Sequence, residues 1–358
     1  MSWTPHHLPY PQELETIKVL KLLPQAHRAL AELKGVAQSI PRQDILINTL
    51  AIQEAKDSSA VENIVTTHDE IYKASMGIEK ITSSQAKEVQ NYIAAMKKGY
   101  ALVKEHQFLS INHIKQIQQI LENNNAGFRK VPGTTLKNQQ TDAIVYTPPQ
   151  GNAAIVSLME NLETYINTPE KMEMDHLVKL AVYHFQFESI HPFYDGNGRT
   201  GRIINILYLI QYGLLDTPIL YLSRYIVQHK SDYYRLLQQV RDTGNWEEYL
   251  VYIITAITET AQDTLQLVKN IKASMAAYKI ILRENYKFYS QDSLNHLFKQ
   301  PYTKIEFLQQ ELNISRVTAA NYLNQLTEDG HLIKHKIGRS NYYVNLSVLT
   351  ALNQTASS

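Results

Sequence analysis

From Pro11 to about Val240 apolar residues recur at i, i+3 and i+4 spacing, the period of helices that bury one face. Glycine and proline gather into a few short breaks, so this stretch reads as a helical body. One helix is expected over Asp175 to Ile190, where Leu177, Leu180, Ala181, His184 and Phe185 form a stripe and Pro192 forbids continuation. It delivers His191 to its end. Another is expected from Thr82, a candidate cap with Gln85 reaching back, to about Lys104. The exception is Thr134 to Gln150: Ala143-Ile144-Val145-Tyr146 is β-prone and Thr147-Pro148-Pro149 ends it, which predicts a short hairpin. A further helical stretch leads from Trp246 to Tyr278, and the texture changes around Ser290 to Lys299. Beyond it, Lys304 to Leu312 and Ser315 to Thr327, with Val317, Ala320, Leu323 and Leu326 inward, predict a helix-turn-helix across Asn313-Ile314. The β-prone segments His331 to Lys334 and Tyr342 to Asn345, around a turn at Gly338-Arg339-Ser340-Asn341, add a wing.

The pattern therefore predicts a mainly α protein with a short β-hairpin and a C-terminal winged helix-turn-helix domain. Its expected parts are 1–95, 96–265 and 266–358, and the polar tail Thr355 to Ser358 is expected to fray. A chain of 358 residues exceeds what one hydrophobic core serves, in keeping with more than one domain. The 35 Lys and Arg nearly balance the 34 Asp and Glu, so overall charge does not point to a polyanionic partner. Cysteine is absent, which removes disulfides, thiolate nucleophiles and Cys-ligated zinc and fits a reducing compartment, with the cytoplasm expected. The most apolar stretches, Ile203 to Leu215 and Tyr249 to Ile257, fall short of the ~20 residues of a spanning helix. No membrane span is therefore expected, and Met1 to Gln12 lacks a signal-peptide pattern, so the protein is expected to stay where it is made.

The chemistry concentrates in His191-Pro192-Phe193-Tyr194-Asp195-Gly196-Asn197-Gly198-Arg199-Thr200-Gly201-Arg202. Two glycines flank an asparagine between a helix and the apolar run Ile203, Ile206, Leu207, Ile210, a place where backbone N–H groups at a helix N-terminus hold phosphate oxygens. Arg199 and Arg202, three apart, share a face and can grip further phosphates. Asp195, a lone carboxylate among these donors, reads as a Mg²⁺ ligand. His191 is the side chain suited to taking a proton near neutral pH. The Walker pattern G-x-x-x-x-G-K-[ST] is absent.

This segment resembles the Fic family motif H-P-F-x-D-G-N-G-R-x-x-R at every specified position. The resemblance implies a Fic helical core that moves AMP from ATP onto a Ser, Thr or Tyr hydroxyl of a protein, with pyrophosphate leaving. It makes His191 the general base and Asp195 the Mg²⁺ ligand. Gly196, Asn197 and Gly198 become the anion hole, and Arg199 and Arg202 the holders of the β- and γ-phosphates. Ile144, Val145 and Tyr146 would form the flap that aligns the target by strand addition, and Tyr233 and Tyr234 match a pair near the nucleotide base. A base-contacting asparagine of a relative corresponds to Arg241, which leaves the base open.

Ser58-Ser59-Ala60-Val61-Glu62-Asn63 resembles the family's inhibitory pattern [S/T]-x-x-x-E-[G/N]. Ser58 and Glu62 lie four apart on one helix face, and the resemblance implies a salt bridge from Glu62 to Arg202 that displaces the γ-phosphate. It also implies a reverse reaction that removes AMP, with Glu62 positioning a water. His184 and Glu188 read as core residues. In the C-terminal part Arg316, Asn321, Gln325, His331, Lys334, His335, Lys336 and Arg339 are candidate DNA contacts, nearly offset by Glu306, Glu311, Glu328 and Asp329. Winged helices equally dock proteins or form homodimers, so three readings stand beside adenylylation: a DNA-binding regulator that senses nucleotide, transfer of another nucleotide, and transfer of phosphate.

Overall fold

The computed structural model describes residues 3–75, 83–137, 142–168, 174–337 and 340–353. The chain forms two compact units, Met1–Ala31 with Ile52–Ala261, and Glu32–Ala51 with Gln262–Ser358. The border expected at 95/96 falls inside one helix, Ser84–His106.

In the first unit, helices His176–Ile190 and Asn197–Gln211 lie at the centre. The amphipathic stripe expected for the first is corrected: Leu177 through Phe187 are all buried. Burial on every face is tolerated because Lys179, His184 and Gln186 find partners, although the Tyr183 hydroxyl is buried without one. Lys179 Nζ donates to Thr168 O at 3.0 Å, Gln186 Nε2 donates to His6 O at 2.7 Å, and His184 Nε2 lies 2.8 Å from the Tyr233 hydroxyl. Asp175 caps the helix through Leu177 N–H at 2.8 Å.

Helices Ser84–His106 and Ile111–Glu122 pack onto Asn197–Gln211. The close approach is set by Gly99, where a Cβ would come within 2.5 Å of Leu207 Cδ1 and 3.0 Å of Ile117 Cδ1. Thr82 lies outside the described residues; Ser83 is the N-cap, its hydroxyl accepting from Ala86 N–H at 3.1 Å. Leu136–Lys137 pairs antiparallel with Ile144–Tyr146, the predicted hairpin. No described helix is long and apolar enough to cross a membrane.

In the second unit, helices Ile305–Leu312 and Arg316–Glu328 are joined at Asn313, whose φ is 52°. A three-stranded sheet follows in the order Tyr302–Thr303, Ser340–Asn345, Leu332–Ile337, all neighbours antiparallel. The inward stripe of Arg316–Glu328 is Ala319, Leu323 and Leu326, whereas Val317 is 71% exposed. The i, i+4, i+7 spacing holds with a phase that starts from Ala319, because Val317 sits in the first turn, pointing out. Gly338, Arg339 and Thr355 to Ser358 lie outside the described residues.

Candidate active site

The site is built across the gap between the two central helices. His191 ends the first in the left-handed conformation, φ 48° and ψ 60°, and returns its N–H to Phe187 O at 2.9 Å. The loop is then tied to itself: Phe193 N–H donates to Asn197 Oδ1 at 2.8 Å and Asn197 Nδ2 donates to Phe193 O at 2.9 Å. Phe193 anchors it by burial against Phe128 and Phe187. The Asn197 side chain thus shapes the loop, leaving anion binding to backbone. Gly196, at φ 75°, starts the second helix without a side-chain cap, so first-turn N–H groups at its positive end are left for an anion.

A carboxylate is already there. A Cβ built at Gly198 would collide with Glu62 Oε1 and lie 2.9 Å from Arg202 Nη1. Arg202, 1% exposed, donates from Nη2 to Glu62 Oε1 and to Ser58 O, each at 2.8 Å, and from Nε to Ser58 Oγ at 2.8 Å. Ser58 and Glu62 come from the end of helix Gln43–Val61 and the turn after it, where Asn63 has φ 63°. Burial pushes the Glu62 carboxyl up, but the Arg202 charge and hydrogen bond, with Arg199 and Lys230, outweigh it and hold the group below its ordinary value.

Arg199 is engaged elsewhere. Its Nη1 lies 3.0 Å from Glu88 Oε2 and its Nη2 2.9 Å from Glu122 Oε1 and 3.9 Å from Asp195 Oδ1. The side chain is 4% exposed, so the shared grip expected from spacing is divided between two sets of carboxylates. Glu122 also occupies the space beside Gly196, where a Cβ would collide with its Oε1. Asp195 is 76% exposed, and its Oδ1 accepts from Gly196 N–H at 2.7 Å.

Burial pushes the His191 imidazole down to about 4, the positive charge of Arg129 pushing the same way, so the ring is neutral at physiological pH. Its Nδ1 is buried without a hydrogen-bond partner. Of the hairpin residues, Ile144 and Val145 are 59% and 41% exposed, whereas Tyr146 is buried and donates its hydroxyl to Ser189 O at 2.9 Å. Tyr233 is turned into the core on His184, and Tyr234 is 44% exposed. Arg241 lies 4.1 Å from the Tyr146 ring centre and donates to Ser189 Oγ at 3.2 Å, joining hairpin to helix end. His184 is inside the core as expected, whereas Glu188 is half-buried, its carboxyl pushed up to about 7 by desolvation.

Sequence reasoning missed Glu88, Glu122 and Arg129. Arg129, 1% exposed, donates from Nε to His191 O at 2.8 Å and from Nη2 to Pro149 O at 2.9 Å. Nothing in the polar run Asn123 to Lys130 around it flags it. In the second unit, Arg316 is ion-paired with Glu306 and Lys334 donates to Asn324 Oδ1 at 2.9 Å, so two candidate DNA contacts are already engaged.

The arrangement offers a neutral imidazole, an uncapped helix N-terminus, a buried arginine and an exposed carboxylate around one loop. The Fic/DOC family N-terminal profile matches residues 20–101, the Fic/DOC family profile residues 103–209, and the C-terminal domain of SoFic-like protein adenylyltransferases residues 275–348. The protein adenylyltransferase Fic of Aedes aegypti is 25% identical over 191 residues, covering 53% of this chain and 36% of its own. Protein adenylyltransferase fic-1 of Caenorhabditis briggsae is 27% identical over 153 residues, 42% and 28% of the two chains. The chain thus spans about a third of the length of these curated relatives. Among solved structures, a Fic family protein from Desulfovibrio desulfuricans G20 superposes with a TM-score of 0.57 at 19% identity, covering 95% of this chain and 98% of that one. Fic-1 of Caenorhabditis elegans, residues 134–508, gives 0.52 at 17%, covering 70% and 74%. With the two Fic/DOC profiles together matching more than half of the chain, over 20–101 and 103–209, the chain belongs to the Fic/DOC family.

Proposed function

We propose that the protein is an auto-inhibited protein adenylyltransferase, moving AMP from ATP to a Ser, Thr or Tyr hydroxyl of another protein or of itself. One observation carries this reading: the Glu62 carboxylate sits against Gly198 and on Arg202, in the space that the uncapped N–H groups and the guanidinium offer to phosphate. A carboxylate there mimics the anion and competes with it.

With Glu62 withdrawn, the first-turn N–H groups from Asn197 to Arg199 hold the α-phosphate and Arg202 takes the γ-phosphate. The neutral His191 ring accepts the proton of the target hydroxyl. The freed oxygen attacks the α-phosphorus, the bond to the β-phosphate oxygen breaks, and pyrophosphate leaves. The hairpin residues Ile144 and Val145 offer an exposed edge against which an extended target segment lies. Asp195 fits Mg²⁺ as a single hard oxygen donor beside the phosphate loop. Among the described residues no three His, Asp or Glu gather to cage a metal, which suits an ion completed by water and phosphate oxygens. When bound, such an ion neutralises charge on the leaving pyrophosphate. The helix pair and hairpin of the second unit are read as a winged helix that docks a partner, and the cytoplasm is the proposed compartment.

The test is incubation with ATP labelled at the α- or the γ-phosphate. Adenylyl transfer puts only the α label on protein, more strongly with Glu62→Gly. His191→Ala in that background lowers it by roughly 10²–10⁴, the usual worth of a general base. Transfer of the γ label, or of neither, would sink the reading.

A further inference from the structure

The helix that presents His191 ends with carbonyls that have no partner inside the helix, and the negative end of its dipole points at the reacting ring. Ser189 O accepts from the Tyr146 hydroxyl at 2.9 Å. The next three carbonyls go to one residue. Ile190 O accepts from Arg129 Nη2 at 3.4 Å, His191 O from Arg129 Nε at 2.8 Å, and Pro192 O from the backbone N–H of Arg129 at 2.8 Å. The same Nη2 reaches Pro149 O at 2.9 Å, at the foot of the hairpin. Arg129 is itself held, its carbonyl accepting from Asn152 Nδ2 at 2.8 Å. The following residues Lys130 and Val131 donate their N–H groups to the Tyr194 hydroxyl at 2.9 and 3.3 Å.

Among the described residues no carboxylate stands within ion-pairing distance of Arg129, and its Nη1 is buried without a partner. The guanidinium is therefore balanced by carbonyl dipoles alone, and its positive charge is felt by the imidazole beside it. We propose that Arg129 is a positioning residue for the general base, fixing the backbone of His191 against the foot of the hairpin and setting its guanidinium charge beside the imidazole. The proposal rests on the adenylyltransferase reading, which gives the ring its task. Two effects follow from one side chain: geometry, because His191 and the target-facing hairpin share an anchor, and charge, because a cation disfavours a second one close by. Arg241 also pushes the His191 ring down, whereas Glu62 and the backbone of Glu188, one helical turn back, push it up.

The experiment uses full-length Glu62→Gly protein as parent, with Arg129→Lys and Arg129→Gln added separately. Lysine keeps the charge but replaces the fork with one ammonium; glutamine loses the charge. Arg129→Lys is expected to lower kcat about tenfold with the KM for ATP unchanged, and to keep the acid midpoint of the kcat profile. Arg129→Gln is expected to lower kcat and raise that midpoint by about one pH unit. Glu188 and Arg241 are common to every arm, so only the displacement between arms is read. An NMR titration of the His191 ring, assigned with His191→Ala, measures the same shift without turnover. A parent that leaves the α label off protein defeats the adenylyltransferase reading, while the NMR titration still judges Arg129. An unmoved His191 titration in Arg129→Gln overturns the proposal. So does an equal loss of rate at all pH values with a raised KM for ATP, the mark of general damage. If Arg129→Gln does not fold, Arg129→Lys decides: a kcat equal to the parent's overturns the proposal.

Discussion

Arg199 and Arg202 sit three residues apart on one helix, both almost wholly buried, and both face carboxylates, yet their surroundings differ in kind. The partners of Arg199, Glu88 and Glu122, belong to helices Ser84–His106 and Ile111–Glu122, which pack directly on the phosphate-loop helix. The partner of Arg202, Glu62, stands in a turn just past the end of its helix. On the proposed auto-inhibited reading, the same ion pair serves as scaffold at one position and as a removable restraint at the other. What separates them is whether the carboxylate can leave without unpacking a helix.

The comparison breaks or sharpens by substitution, and the largest effect is expected from Glu62. Glu62→Gly should raise α-label incorporation on the order of 100-fold, the release of a clasp worth about 3 kcal/mol. Glu122→Gln, by contrast, should not activate. It should lower stability by about 1–3 kcal/mol in urea unfolding, because Arg199 is left buried with a weaker partner. Activation of both variants to the same extent would erase the distinction between scaffold and restraint. Ser58→Ala removes one of the hydrogen bonds to Arg202 and should raise labelling about fivefold, matching a bond of about 1 kcal/mol; no change would mean that Glu62 alone holds the arginine.

A smaller effect concerns the helix that carries the restraint. Glu54 is buried, with Tyr92 and Ser223 hydroxyls at 3.0 and 2.5 Å, and burial pushes its carboxyl up to about 7. The folded protein therefore holds this proton more tightly than the unfolded chain. Its contribution to stability is complete below the ordinary value of 4.5 and is lost as pH rises through about 7. Glu54→Gln should flatten the fall in melting temperature between pH 5 and 8; an unaltered slope would assign that dependence to Glu188 or other groups.

Contiguous features were legible in the sequence and the Glu62–Arg202 pair was legible through resemblance, whereas other features made by packing were not. The motif from His191 to Arg202 is one segment whose chemistry survives without knowledge of the fold, and the helix ends at Asp175 and Pro192 follow from capping and proline sterics. Glu88, Glu122 and Arg129 are single residues far from the motif, and their roles exist only because three helices and a loop converge on Gly196 and His191. Nothing in local spacing marks them. The stripe expected to include Val317 failed for a related reason, since periodicity gives spacing readily and phase poorly near a helix start. Tyr233 shows the limit of pattern in another way: its neighbour Tyr234 faces out, and only the hydrogen bond to His184 says which of the two is core.

Arg202 does more than hold a carboxylate. Ser58 O, to which it also donates, is among the last four carbonyls of helix Gln43–Val61, so the guanidinium serves as the cap of that helix. A guanidinium drawn onto a nucleotide phosphate would leave the helix end bare, and a helix end left bare would fray. Nucleotide affinity and the order of residues 58–63 are then reciprocal quantities. Amide exchange at that end becomes a gauge of occupancy, faster with nucleotide bound, and anything that clamps the turn from outside acts as a competitive inhibitor without entering the pocket.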